Sequence, residues 1–207
     1  MIPLLISLSE KRCIIIGGGA IATRRMRALL KEKAQVSIVS PEVTPVIEEA
    51  SKTSHVHWIQ ERYNETCMDG AFLVIAATNH SDLNRRIMQD AKRRGILCND
   101  VSDAEEGDVI FPGYIQKNDL IISVSTQGAS PSLAKEILHQ MDSVYGEEYG
   151  ALMTILRDVR NEIKLKIPDP KERKKALNRL AKEDVLLEMI RKGRVEEARQ
   201  TAFSCIW

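Results

Sequence analysis

The stretch Ile14-Ile15-Ile16-Gly17-Gly18-Gly19-Ala20-Ile21-Ala22 decides how this chain folds. Three isoleucines in a row suit a strand buried on both faces, and the residues after them match G-x-G-x-x-G/A at the point where a strand meets a helix. Each small residue has a physical task there. Gly17 makes the tight turn, Gly19 lets the backbone approach a pyrophosphate, and Ala22 allows close packing of helix on strand. The opening turn of the helix, with Ala20 and Ile21, presents unpaired N–H groups and a partial positive charge of about half an elementary unit to a diphosphate. Glycines also mark plain turns; the position after the first strand of a βαβ unit is what points to a dinucleotide.

Outward from that turn, short β-branched runs alternate with amphipathic stretches, the pattern of βαβ units around a parallel sheet. Arg12 to Ile16 reads as a strand and Ile21 to Lys33 as a helix with Ala22, Met26, Leu29 and Leu30 on one face. Strands are expected at Gln35 to Val39, Val56 to Ile59, Phe72 to Ala77 and Ile96 to Asn99, with helices around Val46 to Ser51 and Ser81 to Arg94. From Asp108 the pattern changes. Val109 to Gln116 and Leu120 to Ser125 are two strand-like runs joined by Lys117-Asn118-Asp119, a hairpin turn. Ser130-Pro131 supplies an N-cap and a first-turn proline for a helix reaching about Val144. Beyond Gly146 the chain is helix-forming and charged, broken at Ile167-Pro168-Asp169-Pro170 and at Gly193, with Leu152, Ile155, Leu156 and Val159 at helical spacing.

The second part of the dinucleotide fingerprint is an acid at the end of the second strand that holds the adenosine ribose. Here that strand ends in Ser40-Pro41-Glu42, so Ser40, Pro41 and Glu42 are the candidates for the ribose. An exposed loop glutamate is the alternative for Glu42. No arginine follows Ser40 to meet a 2′-phosphate, which favours NAD over NADP. Ala76-Ala77-Thr78-Asn79 ends the fourth strand on the same rim, where the small Ala77 and neighbouring Thr78 let a cofactor pass close to the backbone.

Composition narrows the class. With 207 residues, 43% apolar and 29% charged, the chain is an ordinary globular one, and no apolar run approaches the roughly 20 residues of a membrane span. Thirty Lys plus Arg against 29 Asp plus Glu give no overall basic excess for nucleic acid, although Arg157 to Arg199 holds 14 basic and 9 acidic residues, a local 14 − 9 = +5 that attracts anions. The start lacks a signal-peptide pattern, and the expected location is cytoplasmic. Cys13, Cys67, Cys98 and Cys205 have no C-x-x-C spacing, and His55, His57, His80 and His139 form no H-x-x-x-H, so no metal site is expected.

Gly17-Gly18-Gly19 with Ala22 and Arg24-Arg25, then Ala76-Ala77-Thr78-Asn79, Cys98-Asn99 with Asp103, and Ser125-Thr126-Gln127-Gly128-Ala129-Ser130-Pro131, together resemble the precorrin-2 dehydrogenase family of siroheme synthesis. The likeness runs in order from Met1 to about Tyr145. The resemblance implies NAD-dependent removal of two hydrogens from precorrin-2 to give sirohydrochlorin, by a homodimer. It also implies a Rossmann-type doubly wound parallel sheet (1–108), an α+β dimerisation segment (109–146) and a small C-terminal helical domain (147–207). The family's key acid stands in an N-x-x-D context; in Asn99-Asp100-Val101-Ser102-Asp103 the role is carried to Asp103 as catalytic residue, with Asp100 a second acid nearby. A carboxylate there takes the proton that accompanies hydride loss, whereas the plain alternative is an aspartate capping a turn. Asn99, Ser125, Thr126 and Gly128 are implied in binding the tetrapyrrole, a substrate with eight carboxylates. Fused relatives carry a modifiable serine where this chain has Thr126, a departure from the pattern.

Two other readings stand beside this one. Some relatives also insert iron, through the same acid. A non-catalytic dinucleotide-sensing module would need Gly17 to Ala22 as well, but not Asp103.

Overall fold

Five short strands hydrogen-bond into one parallel sheet in the computed structural model, which describes residues 1–53, 55–102, 107–179 and 183–205. They are β1 (Arg12–Ile16), β2 (Gln35–Val39), β3 (Val56–Ile59), β4 (Leu73–Ala76) and β5 (Leu97–Asp100), in the order β3-β2-β1-β4-β5. Ile16 lies beside Val39 on one side and Ala76 on the other, so the carboxyl ends of β1, β2 and β4 are level. Strand order reverses between β1 and β4, the switch point at which a doubly wound sheet opens a crevice.

Both faces of the sheet are covered, which is why β1 reads as an unbroken apolar run. Ile15, Ile38 and Ile75 pack with Ala22, Met26 and Leu29 of α1 (Ala20–Lys31) and Ile47 of α2 (Pro45–Ser51). Ile14, Ile16, Val74 and Ala76 face Ile87, Met88 and Ala91 of α3 (Ser81–Arg93). Each such fully buried Ile, Leu, Val or Met side chain contributes about 1.5–3 kcal/mol of hydrophobic free energy.

The boundaries differ from the sequence expectation where backbone geometry intervenes. Helix α1 starts at Ala20, one residue early, because Gly19 is its N-cap, and it ends at Lys31 as Lys33 turns left-handed with φ +57°. Ile96 closes α3 by donating to Ala91 O (3.0 Å), so β5 begins at Leu97 and runs to Asp100, which pairs with Ala76. Val109 to Gln116 is not one strand. Asp108 and Val109 N–H groups both donate to Cys98 O (2.9 and 3.1 Å), and Val109 and Phe111 pack against the α1 side of the sheet. Pro112 has no N–H to continue a ladder, and β6 starts after it.

The chain divides into two compact units, Met1–Phe111 and Pro112–Trp207. In the second, β6 (Gly113–Lys117) and β7 (Leu120–Val124) form an antiparallel hairpin. Its turn residue Asn118 is left-handed (φ +52°), and its Nδ2 donates to Gly150 O (2.9 Å) and Thr154 Oγ1 (3.1 Å). Helix α4 (Pro131–Val144) opens on Ser130, whose Oγ accepts from Leu133 N–H (3.3 Å). Leu152, Ile155, Val159 and Ile163 of α5 (Glu147–Lys166) bury against α7 (Glu183–Arg191) and α8 (Val195–Ser204), with α6 (Pro170–Asn178) adding Ala176. Among the described residues no helix is long and apolar enough to cross a membrane.

Candidate functional site

The turn between β1 and α1 is packed on two sides and open on the third. At Gly17 (φ +117°) a Cβ would stand 2.7 Å from the Ala77 carbonyl carbon and 3.1 Å from Thr78 N. At Gly18 it would stand 2.9 Å from Val43 Cα, and Gly18 O accepts from Thr44 N–H (2.9 Å). At Gly19 it would meet nothing within 4 Å among the described residues. Among the described residues no side chain caps α1 and no acid lies in its first turn, so the N–H groups of Ala20, Ile21 and Ala22 lack a side-chain acceptor and the positive end of the dipole lacks a neighbouring carboxylate. Gly19 is therefore not demanded by the protein's own packing; its missing side chain leaves room for an external group, and the donors beside it suit a diphosphate. Ala22 is fully buried against the sheet. Gly18, the x of the motif, has no task in the dinucleotide fingerprint; the middle glycine of the triplet is required by the contact with Val43.

The β2 exit loop leans on this turn. Ser40 is largely engaged: its Oγ donates to Glu42 O (2.6 Å), its N–H to Ile59 O (3.2 Å), and its carbonyl accepts from Trp58 Nε1 (2.9 Å). Pro41 O accepts from Gln60 Nε2 (3.4 Å). Thr44 caps α2 and shares a 2.7 Å hydroxyl contact with Thr23 of α1. The Glu42 side chain is exposed and makes no hydrogen bond or ion pair among the described residues.

Along the carboxyl rim, Ala77 N–H donates to Ile16 O (2.8 Å), and Thr78 follows next to Gly17. Thr78 is held by Asn84 of α3, whose Oδ1 accepts from Thr78 N–H (3.2 Å) and Oγ1 (2.6 Å). At the end of β5, Asn99 is buried; its Nδ2 donates to Val109 O (2.8 Å), and its Oδ1 has no partner. The next residue, Asp100, is buried too, and its Oδ1 accepts from Ser102 N–H (2.8 Å) and Oγ (2.6 Å). Asp103 lies outside the described residues. Counted from Asn99 it is the fourth residue on, so an N-x-x-D frame taken strictly ends on Ser102.

Ser125, Thr126 and Gly128 belong to the second unit. Gln127 (φ +50°) and Gly128 (φ +89°) are consecutive left-handed residues, fixed by Gln127 N–H donating to Ser125 Oγ and Ser130 N–H to Thr126 Oγ1 (both 3.1 Å).

Arg25 escaped the sequence reading as a separate feature. Its guanidinium stacks 4.2 Å from the centre of the Phe111 ring, its Nε is buried without an acceptor, and it has no carboxylate partner among the described residues. Burial, with Arg24 adding repulsion, pulls its pKa down to about 10. Burial likewise pushes the Cys13 thiol up to about 11 and, with Asp108 and Asp100 adding, the Cys98 thiol up to about 12. Among the described residues no group of three or more His, Cys, Asp or Glu is placed to hold a metal.

A parallel sheet whose switch point carries a glycine turn open toward an uncapped helix defines the class: a nucleotide-binding α/β protein of Rossmann type. Residues 4–113 match a family described as putative NAD(P)-binding, and residues 148–203 one described as the sirohaem synthase dimerisation region. The chain is 36% identical over 162 residues to the precorrin-2 dehydrogenase of Bacillus subtilis (strain 168), covering 78% of this chain and 99% of that one. It is 33% identical over 173 residues to the siroheme synthase of Chromobacterium violaceum, covering 84% of this chain and 37% of that one. The chain thus spans little more than a third of the length of that synthase. A solved structure described as SirC, precorrin-2 dehydrogenase, superposes with TM-score 0.80 at 24% identity, over 100% of this chain and 98% of that one, and shares its fold. The chain belongs to the precorrin-2 dehydrogenase family.

Proposed function

We propose that this chain oxidises precorrin-2 to sirohydrochlorin with NAD as the acceptor, as a cytoplasmic homodimer in siroheme synthesis. The observation that carries the reading is the contrast within the glycine turn: Gly17 and Gly18 are hemmed in by backbone, while no described residue comes within 4 Å of a Cβ placed on Gly19, the N-cap of the uncapped α1. When bound, the nicotinamide supplies the hydride acceptor. Gly17, Gly19, Ala20, Ile21 and Ala22 seat the diphosphate, and Ala77 and Thr78 form the rim. Ser40, Pro41 and Glu42 meet the ribose, where the unpartnered Glu42 carboxylate accepts from its hydroxyls and repels a 2′-phosphate, favouring NAD.

Asp103 takes the proton that leaves as the hydride departs, the role carried over by the resemblance. Asn99, Ser125, Thr126 and Gly128 bind the tetrapyrrole, Gly128 and its left-handed neighbour orienting backbone N–H groups suited to carboxylates. We retain the division 1–108 for the dinucleotide, 109–146 for pairing and 147–207 for the helical domain, with residues 148–203 also candidates for the pairing surface.

Purified protein mixed with enzymatically made precorrin-2 and NAD is expected to generate NADH absorbance, and Asp103→Asn is expected to lose most of the rate while still binding NAD. A wild-type protein that produces no NADH removes the assignment; a fully active Asp103→Asn removes only the role of that residue.

A further inference from the structure

Asn84 stands in the apolar stripe of α3 with Ile87, Met88 and Ala91, where a hydrophobic side chain would fill the place without desolvating an amide. It is 0% exposed, and its amide is used completely. Oδ1 accepts twice from Thr78, as described; Nδ2 donates to Thr78 O (3.3 Å) and to Ser102 Oγ (3.2 Å). The Thr78 N–H can only donate, so the amide cannot be turned over. Ser102 Oγ donates its own hydrogen to Asp100 Oδ1 (2.6 Å) and so is left to accept from Asn84. One buried amide thus joins the turn beside Gly17 to the carboxylate that ends β5.

We propose that Asn84 is a positioning residue for the oxidation: through Ser102 it makes the Thr78 turn and the Asp100 strand end one rigid piece. The dinucleotide rim and the acidic end of β5 then keep a single spacing, and a misplacement of reacting groups by about 1 Å is enough to slow a reaction about a hundredfold. This inference rests on the dehydrogenase reading above. Ser102 acts as the link, and Asp100 as its anchor.

The test is a double-mutant cycle of Asn84→Ala and Ser102→Ala, with Ser102→Thr as the variant that keeps the hydroxyl. Precorrin-2 oxidation, NAD affinity by calorimetry and the thermal midpoint are followed for each. Ser102→Ala is expected to lower kcat about tenfold while NAD affinity stays within about twofold, Ser102→Thr to recover most of the rate, and the double variant to be no slower than Asn84→Ala. A wild-type kcat in Ser102→Ala, or losses that multiply in the double variant, would overturn the proposal. Should Asn84→Ala not fold, the contrast between Ser102→Ala and Ser102→Thr decides by itself. Where the wild type fails to oxidise precorrin-2, the dehydrogenase reading falls and the network is judged separately by hydrogen exchange. NAD is then expected to protect the Val101 and Ser102 amides in the wild type and not in Ser102→Ala; equal protection in both sinks the network.

Discussion

Gly18 and Val43 are pressed together so closely that a Cβ on the glycine would lie 2.9 Å from the valine Cα. The β2 exit loop therefore rests directly on the glycine turn, while the neighbouring Gly19 has no described residue within 4 Å of its Cβ position.

That difference separates two alanine substitutions one residue apart. Gly18→Ala is expected to displace the loop and lower stability by about 1–3 kcal/mol, as overpacking does. Gly19→Ala, with φ −82° and no neighbour within 4 Å, should leave the thermal midpoint within a degree or two while weakening NAD binding about tenfold or more, a loss of about 1.4 kcal/mol. Thermal melts and calorimetry on both variants check the pair; equal effects on stability would contradict the packing argument.

Glu42 offers a test of cofactor preference. An exposed carboxylate without a partner repels a 2′-phosphate, so Glu42→Arg is expected to shift the ratio of NAD to NADP affinity toward NADP by about tenfold. An unchanged ratio would mean that the loop does not reach the ribose.

The unpaired guanidinium of Arg25 is costly where it sits. Arg25→Met keeps an unbranched chain against Phe111 and removes the half-buried charge, and is expected to raise unfolding free energy by about 1 kcal/mol in denaturant titrations. A clear loss of stability would show that the stacking on Phe111 outweighs the cost of burying the charge.

The buried thiols give a pH dependence with a definite sign. Cys13 and Cys98 titrate at about 11 and about 12 in the fold, above the ordinary thiol value, so unfolding releases groups that bind protons less tightly. Their contribution is fully present below pH 9 and is lost as pH rises through 9 toward 12. At pH 8, Cys13 and Cys98 are expected to resist alkylation in the native protein and to react on unfolding, which mass spectrometry of the modified chain resolves.

The parallel sheet and the glycine turn were legible in the sequence, because buried strands and a tight strand-to-helix turn demand residue types that local spacing displays; the strand order, and with it the switch point, was not. So were Ser130-Pro131 at the head of α4 and the Leu152, Ile155 and Val159 stripe of α5. The split of Val109 to Gln116 was not, since Asp108 and Val109 leave the strand pattern only to reach Cys98 O, a partner ten or more residues away.

The nine residues from Ile14 to Ala22 were enough to place a strand, a left-handed Gly17 and the uncapped start of α1, because these are local properties of the chain. Packing between distant segments supplies the neighbours of this turn: Val43 against Gly18, Ala77 against Gly17, and Asn84 between Thr78 and Ser102. Those contacts join residues that lie far apart along the chain. A polar residue on an apolar stripe, or a middle glycine in a triplet, acquires its meaning from the atoms that packing brings to it.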